Sequence, residues 1–160
     1  DLDMELADGQ EIESGGLVIR ALHIPGHTQG QLAFLVNEER VFTGDTLFRR
    51  AVGGTRAPGH GTFDQLRDSI MERLLRLPHD TTVHPGHTDE TTIGEEWEEN
   101  PFVRIWRNLD APAERACEVA GEPALLLLEA RDYDGGTKCM VRWESGELDI
   151  VPGSRVRTDA

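Results

Sequence analysis

His23-Ile24-Pro25-Gly26-His27-Thr28-Gln29-Gly30 is the stretch that decides the fold, because it ends an apolar run with a sharp bend and places a histidine directly after the bend. The pattern returns as Pro85-Gly86-His87-Thr88, and between the two lies Thr43-Gly44-Asp45-Thr46, which places a carboxylate after another apolar run. Proline and glycine turn the chain and add little bulk, so the next side chain can project into open space. An imidazole, a carboxylate and an imidazole, each just after a predicted strand, are typical of a cation site.

The candidate ligands in this pattern are His27, Asp45 and His87. A neutral imidazole donates a lone pair to zinc or iron, and an aspartate can bridge two cations with its two oxygens. Because strands that lie side by side bring their ends together, we expect the three groups to meet at one edge of a sheet. The alternative, that these are simply exposed loop residues flanked by glycine, stays open at this point. The threonine that follows each candidate ligand is expected to fix its orientation by a hydrogen bond.

The composition of the 160-residue chain excludes several classes of partner. Asp and Glu number 30 against 16 Lys and Arg, a net charge of −14, whereas nucleic acids and anionic membranes require a positive surface. No apolar run approaches the ~18 residues of a membrane span. The two cysteines, Cys117 and Cys139, make no disulfide framework, which predicts a cytoplasmic protein. Since the chain starts Asp1-Leu2-Asp3 without methionine, we expect it to be a piece of a longer one.

The order of apolar runs and turn signals predicts an α/β fold. Strands are predicted over residues 17–24, 31–36, 40–43 and 81–84. Residues 47–61 form a glycine-rich loop whose length suggests a functional role. A helix with apolar residues at helical spacing is predicted from a capping box at Thr62 as far as Leu77, and a short acidic helix over 92–100.

A change of pattern after residue 107 divides the chain. Residues 1–107 are predicted to form the main α/β unit, and the alanines, prolines and charges of residues 108–123 predict a linker. Residues 124–157 are predicted to form a small C-terminal β-meander, with strands over 124–131, 138–143 and 147–151 separated by glycine-containing turns. A meander of about 35 residues is small for an independently stable unit.

The motifs, taken in series, resemble a known family. His23-Ile24-Pro25-Gly26-His27-Thr28-Gln29-Gly30, Phe42-Thr43-Gly44-Asp45-Thr46-Leu47-Phe48 and His84-Pro85-Gly86-His87 are similar to the third, fourth and fifth metal motifs of the metallo-β-lactamase superfamily. Residues 66–78 and 91–102 narrow the resemblance to its glyoxalase-II-like (hydroxyacylglutathione hydrolase-like) branch. The resemblance covers roughly residues 8 to 106. It implies the second half of an αβ/βα sandwich of two mixed sheets, to which the C-terminal β-meander is added.

The resemblance also implies a chemistry for the candidate ligands. His27 would bind the first metal ion, His87 the second, and Asp45 would bridge both as the catalytic carboxylate. The two divalent ions, zinc or else iron or manganese, would share a hydroxide that attacks a carbonyl carbon. A thioester is the expected substrate, because this branch mostly hydrolyses such bonds.

The chain departs from the family in its first metal motif. No His-x-His-x-Asp-His occurs in it, so we expect about half of the ligands and an inactive isolated chain. The expected partner is an N-terminal half of the fold, encoded by the same gene or carried by a separate chain. Two other interpretations stay open: a mononuclear iron enzyme similar to persulfide dioxygenases, and a non-catalytic fragment that completes a partner or binds a protein.

A second departure concerns the expected substrate contacts. Relatives carry Gly-Arg-Thr-Asp where this chain has Gly53-Gly54-Thr55-Arg56, so the local charge is reversed. Arg56 is a candidate contact for an anionic substrate or else a solvated loop residue, and His60 in the third Pro-Gly-His is a second candidate contact. Nothing in the sequence is similar to the helical module of glyoxalase II enzymes that use glutathione, which argues against a glutathione thioester.

Overall fold

Residues 4–158 are described by a computed structural model, and their elements confirm the α/β fold. In chain order the strands are β1 (Glu11–Ser14), β2 (Leu17–His23), β3 (Leu32–Val36), β4 (Arg40–Gly44), β5 (Leu47–Phe48), β6 (Ala51–Val52), β7 (Thr82–Pro85), β8 (Thr91–Thr92), β9 (Arg115–Val119), β10 (Glu122–Arg131), β11 (Thr137–Trp143), β12 (Leu148–Pro152) and β13 (Val156–Arg157). The α-helices are α1 (Phe63–Asp68), α2 (Ile93–Glu99) and α3 (Pro101–Trp106). The strands predicted in the first half correspond to β2, β3, β4 and β7.

The largest sheet within residues 4–158 has six strands, in the order β1-β2-β3-β4-β7-β8. β3 pairs antiparallel with both β2 and β4, and β7 lies parallel to β4. β2, β4 and β7 therefore run in the same direction and end at the same edge of the sheet. Three residues connect β3 to β4, and two of them, Asn37 and Glu38, have φ of 50° and 56°, the left-handed conformation that tight turns use.

The two faces of this six-stranded sheet differ in burial. On one face Leu35 and Val41, which pair across neighbouring strands, are buried in the main core together with the helices. On the other face Phe34, Phe42 and His84 pair in the same way, but Phe42 is 45% exposed and the other two are half-buried. The sheet thus has one core face and one open apolar face, as expected for half of a two-sheet sandwich.

The bend before His27 is held by the helical segment that follows the glycine-rich loop. A Cβ on Gly26 would lie 2.4 Å from Leu66 Cα, so a side chain at this position would collide with α1. Gly26 also has a φ of +142°, which other residues rarely adopt. Ser69 Oγ donates a hydrogen bond of 2.7 Å to the Pro25 carbonyl oxygen. These contacts fix where the chain turns and hence where His27 begins.

The helix predicted from Thr62 to Leu77 is present but not uniform. The capping box forms as expected, and α1 then continues as a π-helical turn over Ser69–Arg73 and a 3-10 turn over Leu74–Arg76. The spacing of apolar residues indicates which face of a helix is buried but not which backbone groups hydrogen-bond to each other. It therefore could not predict the change from α-helical to π-helical and 3-10 hydrogen bonding. Among the helices of residues 4–158, none has the length and apolar character needed to cross a bilayer.

The predicted linker over residues 108–123 is wrong in its second part. Residues 115–119 form β9, which pairs with β10, and β10 already begins at Glu122. Cys117 and Val119 are the buried residues of β9, so the apolar alternation was too short to be recognised among charges. In the described part of the chain, β9 belongs to a five-stranded antiparallel sheet with the order β12-β11-β10-β9-β13, called here the C-terminal sheet.

The C-terminal sheet shares its core with the rest of the molecule. Leu127, Met140 and Ile150 belong to the same buried cluster as Leu47 and Phe63. The segment predicted as a C-terminal extension over residues 124–157 is therefore packed against the first half and does not hang from a linker. This contact brings the C-terminal sheet next to the candidate ligands.

Candidate metal centre

The three candidate ligands lie at one edge of the six-stranded sheet. Asp45 directly follows β4 and His87 comes two residues after β7, and these two strands are parallel neighbours. His27 comes four residues after β2, which runs in the same direction. The proline–glycine bends turn both histidines toward the carboxylate of Asp45.

The two imidazoles face different oxygens of one carboxylate. His27 Nε2 lies 3.9 Å from Asp45 Oδ2, and His87 Nε2 lies 3.5 Å from Asp45 Oδ1. Two donors bound to one cation at about 2.1 Å lie about 3–4 Å apart, so both spacings suit a cation between the pair. The side chains of His27, Asp45 and His87 are 21%, 40% and 48% exposed, and the space between them opens to solvent.

The His27 ring is oriented from behind by the backbone. Its Nδ1 lies 2.8 Å from the Gly54 carbonyl oxygen. A carbonyl can only accept, so Nδ1 carries the proton and Nε2 keeps its lone pair toward Asp45. A backbone acceptor behind a ligating histidine is the usual outer partner in metal sites. The donor set and its orientation therefore fit a metal ion.

The donors form two pairs and not one closed set. Among residues 4–158, no group of three or more His, Cys, Asp and Glu side chains is arranged to hold one metal ion. The two distances explain why no such group forms, because each imidazole faces a different oxygen of Asp45. A cation in either pair would receive one nitrogen and one oxygen from this chain, which is half of the four ligands that zinc takes.

Curated relatives are similar to part of the chain. An uncharacterised protein of Mycobacterium tuberculosis is 46% identical over 102 residues, covering 60% of this chain and 45% of the relative. The hydroxyacylglutathione hydrolase GloC of Haemophilus influenzae is 40% identical over 97 residues, with 60% and 45% covered. The probable metallo-hydrolase YqgX of Bacillus subtilis is 37% identical over 94 residues, with 58% and 44% covered. The chain thus spans about half the length of the curated relatives it matches. No family model matches it.

Solved structures match a slightly larger part of the chain. The BLEG-1 B3 metallo-β-lactamase has a TM-score of 0.59 at 34% identity, covering 63% of this chain and 48% of the other. ETHE1 from Myxococcus xanthus has a TM-score of 0.58 at 35% identity, with 69% and 54% covered. TTHA1623 in a di-iron-bound form has a TM-score of 0.53 at 42% identity, with 62% and 48% covered. The chain carries part of the metallo-β-lactamase fold. Its curated relatives include metallo-hydrolases.

The two residues predicted to contact substrate line a groove near the candidate metal centre. Arg56 and His60 line an open cavity of about 650 Å³, and among residues 4–158 its lining includes none of the three candidate ligands. Arg56 Nε donates to Asp149 Oδ2 at 2.8 Å, and the guanidinium carbon lies 5.0 Å from the centre of the Trp143 ring. His60 Nδ1 lies 2.6 Å from the carbonyl oxygen of the next residue. The structure brings Arg56 and His60 to one cavity, and in the part of the chain that the structure describes the three candidate ligands do not line it.

Sequence reasoning missed Tyr133, which lies in the turn between β10 and β11. Its ring stacks on that of His87, with centroids 4.4 Å apart and planes 10° apart. Burial, followed by the carboxylates of Asp132, Asp45 and Asp134, raises the pKa of the Tyr133 phenol. No local pattern marks this residue, because its contact with the centre depends on how the C-terminal sheet packs.

Two of the threonines that follow the ligands, Thr46 and Thr88, do not orient a ligand by a hydrogen bond as predicted. Thr46 Oγ1 is buried without a hydrogen-bond partner in the part of the chain that the structure describes, and Thr88 Oγ1 donates to the Asp89 carbonyl oxygen. The Gly54 carbonyl orients His27 instead. A hydroxyl next to a ligand in sequence need not point toward it, since the bend directs the two side chains differently.

The two cysteines take no part in the centre. Cys117 and Cys139 are free and buried. Burial raises the pKa of both thiols, that of Cys139 to about 11, so they stay protonated near neutral pH. A protonated, buried thiol is neither a nucleophile nor a metal ligand.

Proposed function

We propose that this chain is part of a metal-dependent hydrolase of thioesters, in which His27, Asp45 and His87 are ligands of two divalent cations. The position of Asp45 carries the proposal: its two carboxylate oxygens each face a different imidazole nitrogen, at 3.9 and 3.5 Å. This arrangement supports a bridging carboxylate, with one histidine for each cation. Zinc suits the nitrogen and oxygen donors, and so do iron and manganese; the similarity to a di-iron-bound structure supports iron as an alternative.

The chain's own residues prepare the centre for catalysis. When bound, a pair of divalent cations lowers the pKa of water and stabilises negative charge that develops on a carbonyl oxygen. His27 keeps its proton on Nδ1, against the Gly54 carbonyl oxygen, and leaves Nε2 free to donate. Asp45 supplies negative charge between the two imidazoles, and its loss would remove a donor from both cations. We therefore assign Asp45 the catalytic role among the three.

A thioester is the proposed substrate class because the chain is similar to a hydroxyacylglutathione hydrolase. The open side of the centre gives a small molecule access to it. Arg56 and His60 line the neighbouring groove, so they would contact a substrate that extends from the centre into that groove. They belong to the proposal as secondary contacts, and Arg56 would first have to loosen its pairing with Asp149.

The proposal includes a second polypeptide segment, in the same chain or another, that supplies further donors. Each cation would receive two donors from this chain, whereas zinc takes four. The open face of the six-stranded sheet, with Phe34 and Phe42, offers such a segment an apolar surface to cover. A segment with His-x-His-x-Asp-His is the proposed complement, without which the chain is inactive. The proposed location is the cytoplasm.

The test compares the 160-residue chain alone with the chain fused behind the N-terminal part of a metallo-β-lactamase-fold relative that carries His-x-His-x-Asp-His. Zinc content and thioester hydrolysis are measured for both. We expect the fusion to bind a pair of zinc ions and to hydrolyse thioesters, and the chain alone to bind zinc weakly without turnover. In the fusion, Asp45→Asn keeps the shape but removes the charge, and hydrolysis should fall by more than about tenfold.

Asp68→Asn is the matched control, because this carboxylate lies on the exposed end of α1 and pairs with a surface arginine. It should leave hydrolysis unchanged. Tight zinc binding by the chain alone would show that no further donors are needed. One iron per fusion with oxygen uptake would support the mononuclear iron enzyme, and a fusion without metal would support the non-catalytic fragment. A fully active Asp45→Asn variant would contradict the bridging role.

A further inference from the structure

The C-terminal sheet reaches the candidate centre at two separate places, one behind each histidine. The first is Tyr133, whose ring lies flat on that of His87, with centroids 4.4 Å and planes 10° apart. The His87 side chain is 48% exposed and projects from a loop beyond β7. The Phe48 ring also lies beside it, but tilted by 38° with centroids 6.1 Å apart, so Tyr133 makes the stacked contact. An aromatic ring stacked on one face limits the rotation of the imidazole about its last torsion.

Tyr133 is itself held in place by a buried ion pair. Lys138 Nζ lies 3.1 Å from Asp132 Oδ2, and both side chains are 7% exposed. The same ammonium lies 5.3 Å from the ring centres of Tyr133 and of the buried Phe48. Phe48 in turn packs against Tyr133 with centroids 5.3 Å apart. An exposed turn residue would normally be free to move, whereas here a buried charge pair and an aromatic neighbour direct it toward His87.

The second contact acts on His27 through Thr55. The Thr55 backbone N–H donates to the Ile150 carbonyl oxygen at 3.0 Å, and the Ile150 N–H donates to Thr55 Oγ1 at 2.9 Å. The Thr55 hydroxyl donates to Asp149 Oδ1 at 2.7 Å, and Trp143 Nε1 donates to Asp149 Oδ2 at 2.7 Å. Thr55 is thereby joined to β12 as if it were a further strand residue. The carbonyl that accepts the His27 proton belongs to the residue just before it.

We propose that the C-terminal sheet positions the two histidines: Tyr133 fixes the ring plane of His87, and Thr55, held by β12, fixes the tautomer and direction of His27. The inference deepens the proposed function and rests on it for its consequence, which is tighter metal binding. Outer partners of ligating histidines commonly contribute about 10–100-fold in metal affinity. The positioning itself is present in the metal-free protein and can be measured without metal.

The test of the His87 contact uses proton and nitrogen NMR of the histidine rings in the metal-free 160-residue chain. Tyr133→Leu removes the aromatic ring, and Tyr133→Phe keeps it. In the Leu variant the His87 ring protons should lose the upfield shift that a stacked ring causes, whereas the Phe variant should match the wild type. In the fusion with the complementing segment, zinc should bind about tenfold more weakly to the Leu variant than to the Phe variant. Unchanged His87 signals in Tyr133→Leu would overturn the contact.

The test of the His27 contact uses Thr55→Val, with Thr55→Ser keeping the hydroxyl and Thr137→Val as the same change elsewhere in the sheet. In Thr55→Val the His27 nitrogen shifts should move from a single Nδ1–H tautomer toward a mixture, and the other two variants should match the wild type. Asp149→Asn weakens the same junction from the other side and replaces Thr55→Val should that variant not fold. A pure Nδ1–H tautomer in a folded variant would overturn this contact.

The two proposals fail in different ways. A wild-type fusion that binds no zinc, together with histidine signals of the chain that respond to the variants, would contradict the proposed metal site and leave the positioning supported. A fusion that binds zinc with equal strength in wild type, Tyr133→Leu and Thr55→Val would contradict the positioning role and leave the metal site supported.

Discussion

Asp45 lies in a space that glycine neighbours leave open. A Cβ on Gly86 would lie 2.5 Å from Asp45 Oδ1, and a Cβ on Gly53 would lie 2.1 Å from the Asp45 carbonyl oxygen. At Gly86 the collision is with the end of a side chain, which can rotate away, and the Gly44 carbonyl group at 3.2 Å would have to shift slightly. At Gly53 the collision is with backbone, which cannot rotate away. Gly86 therefore keeps room for the carboxylate between the two imidazoles, in addition to forming the bend before His87.

Gly86→Ala should turn the Asp45 carboxylate away from His87 with little loss of stability. Zinc binding, measured in the fusion with the complementing segment, should weaken by about tenfold because a misdirected carboxylate no longer serves both pairs. The free energy of unfolding should fall by less than about 1 kcal/mol, since Gly86 lies at the exposed surface. Gly30→Ala is the control, because a Cβ there meets nothing within 4 Å. Wild-type zinc affinity in Gly86→Ala would show that this carboxylate orientation is unimportant.

The sequence pointed to residues whose position follows from local signals and missed those placed by packing. His27, Asp45 and His87 each follow a strand and a bend, so their approach to one edge could be inferred from spacing. Tyr133 and Thr55 carry no such signal, because their contacts join residues far apart in the chain. The placement of Arg56 and His60 on a separate groove was equally hidden, since a loop of this length has no periodicity from which to infer direction.

The β5–β6 hairpin connects Asp45 to Gly54 and is anchored to α2 by the buried carboxylate of Glu96. Arg50 Nη1 donates to Glu96 Oε1 at 2.6 Å and the Arg50 backbone N–H donates to Oε2 at 2.9 Å. Thr91 Oγ1 and Asn100 Nδ2 donate to the same carboxylate, each at 2.8 Å. Four donors converge on a side chain that is fully buried, and both of its oxygens act as acceptors.

Glu96→Gln should lower the free energy of unfolding by about 3 kcal/mol. The amide replaces an acceptor oxygen with a donor that faces other donors, and the Arg50 charge loses its buried partner. Glu99→Gln is the matched control: it also pairs with Arg50, but its side chain is 62% exposed, so the loss should stay below about 0.5 kcal/mol. Urea unfolding of both variants gives the comparison. Equal losses would show that burial of Glu96 does not anchor the hairpin.

Elements with long or regular patterns were predicted, and short or interrupted ones were not. The alternation in β3 and the helical spacing after Thr62 identify these elements without tertiary context. β5 and β6 have two residues each and lie inside the segment predicted to be a glycine-rich loop. Only their burial in the structure distinguishes them from the rest of that loop. The short acidic helix was predicted to end at residue 100, and α3, whose first residue is Pro101, was not predicted; Asn100 Oδ1 accepts the Phe102 N–H at its start. A proline at the first helical position stops one helix and starts another equally well.

The whole molecule is stabilised by a core to which both parts of the chain contribute. Ile24, Leu66 and Ile70 lie in the same buried cluster as Leu127 and Ile150. The composition around residues 108–123 suggested two units joined by a linker. The shared core could not be predicted, because the local sequence does not show which distant residues a strand packs against. Removal of the C-terminal sheet would expose apolar surface that the first half cannot cover by itself.

The described part of the molecule should therefore unfold in one cooperative step. Trp97 and Trp106 report on the first half, and Trp143 reports on the C-terminal sheet through its bond to Asp149. Two variants of the 160-residue chain separate these signals: Trp143→Phe keeps the first pair, and the double change of Trp97 and Trp106 to Phe keeps the third. Each variant is unfolded in urea and followed by both fluorescence and far-UV circular dichroism. Because a shared core makes the stability of each part depend on the other, the two signals should coincide within each variant. A different result would contradict this: the Trp143 fluorescence could change at another urea concentration than the circular dichroism of the same sample. The C-terminal sheet would then unfold on its own, and the shared core would contribute little to holding the two parts together.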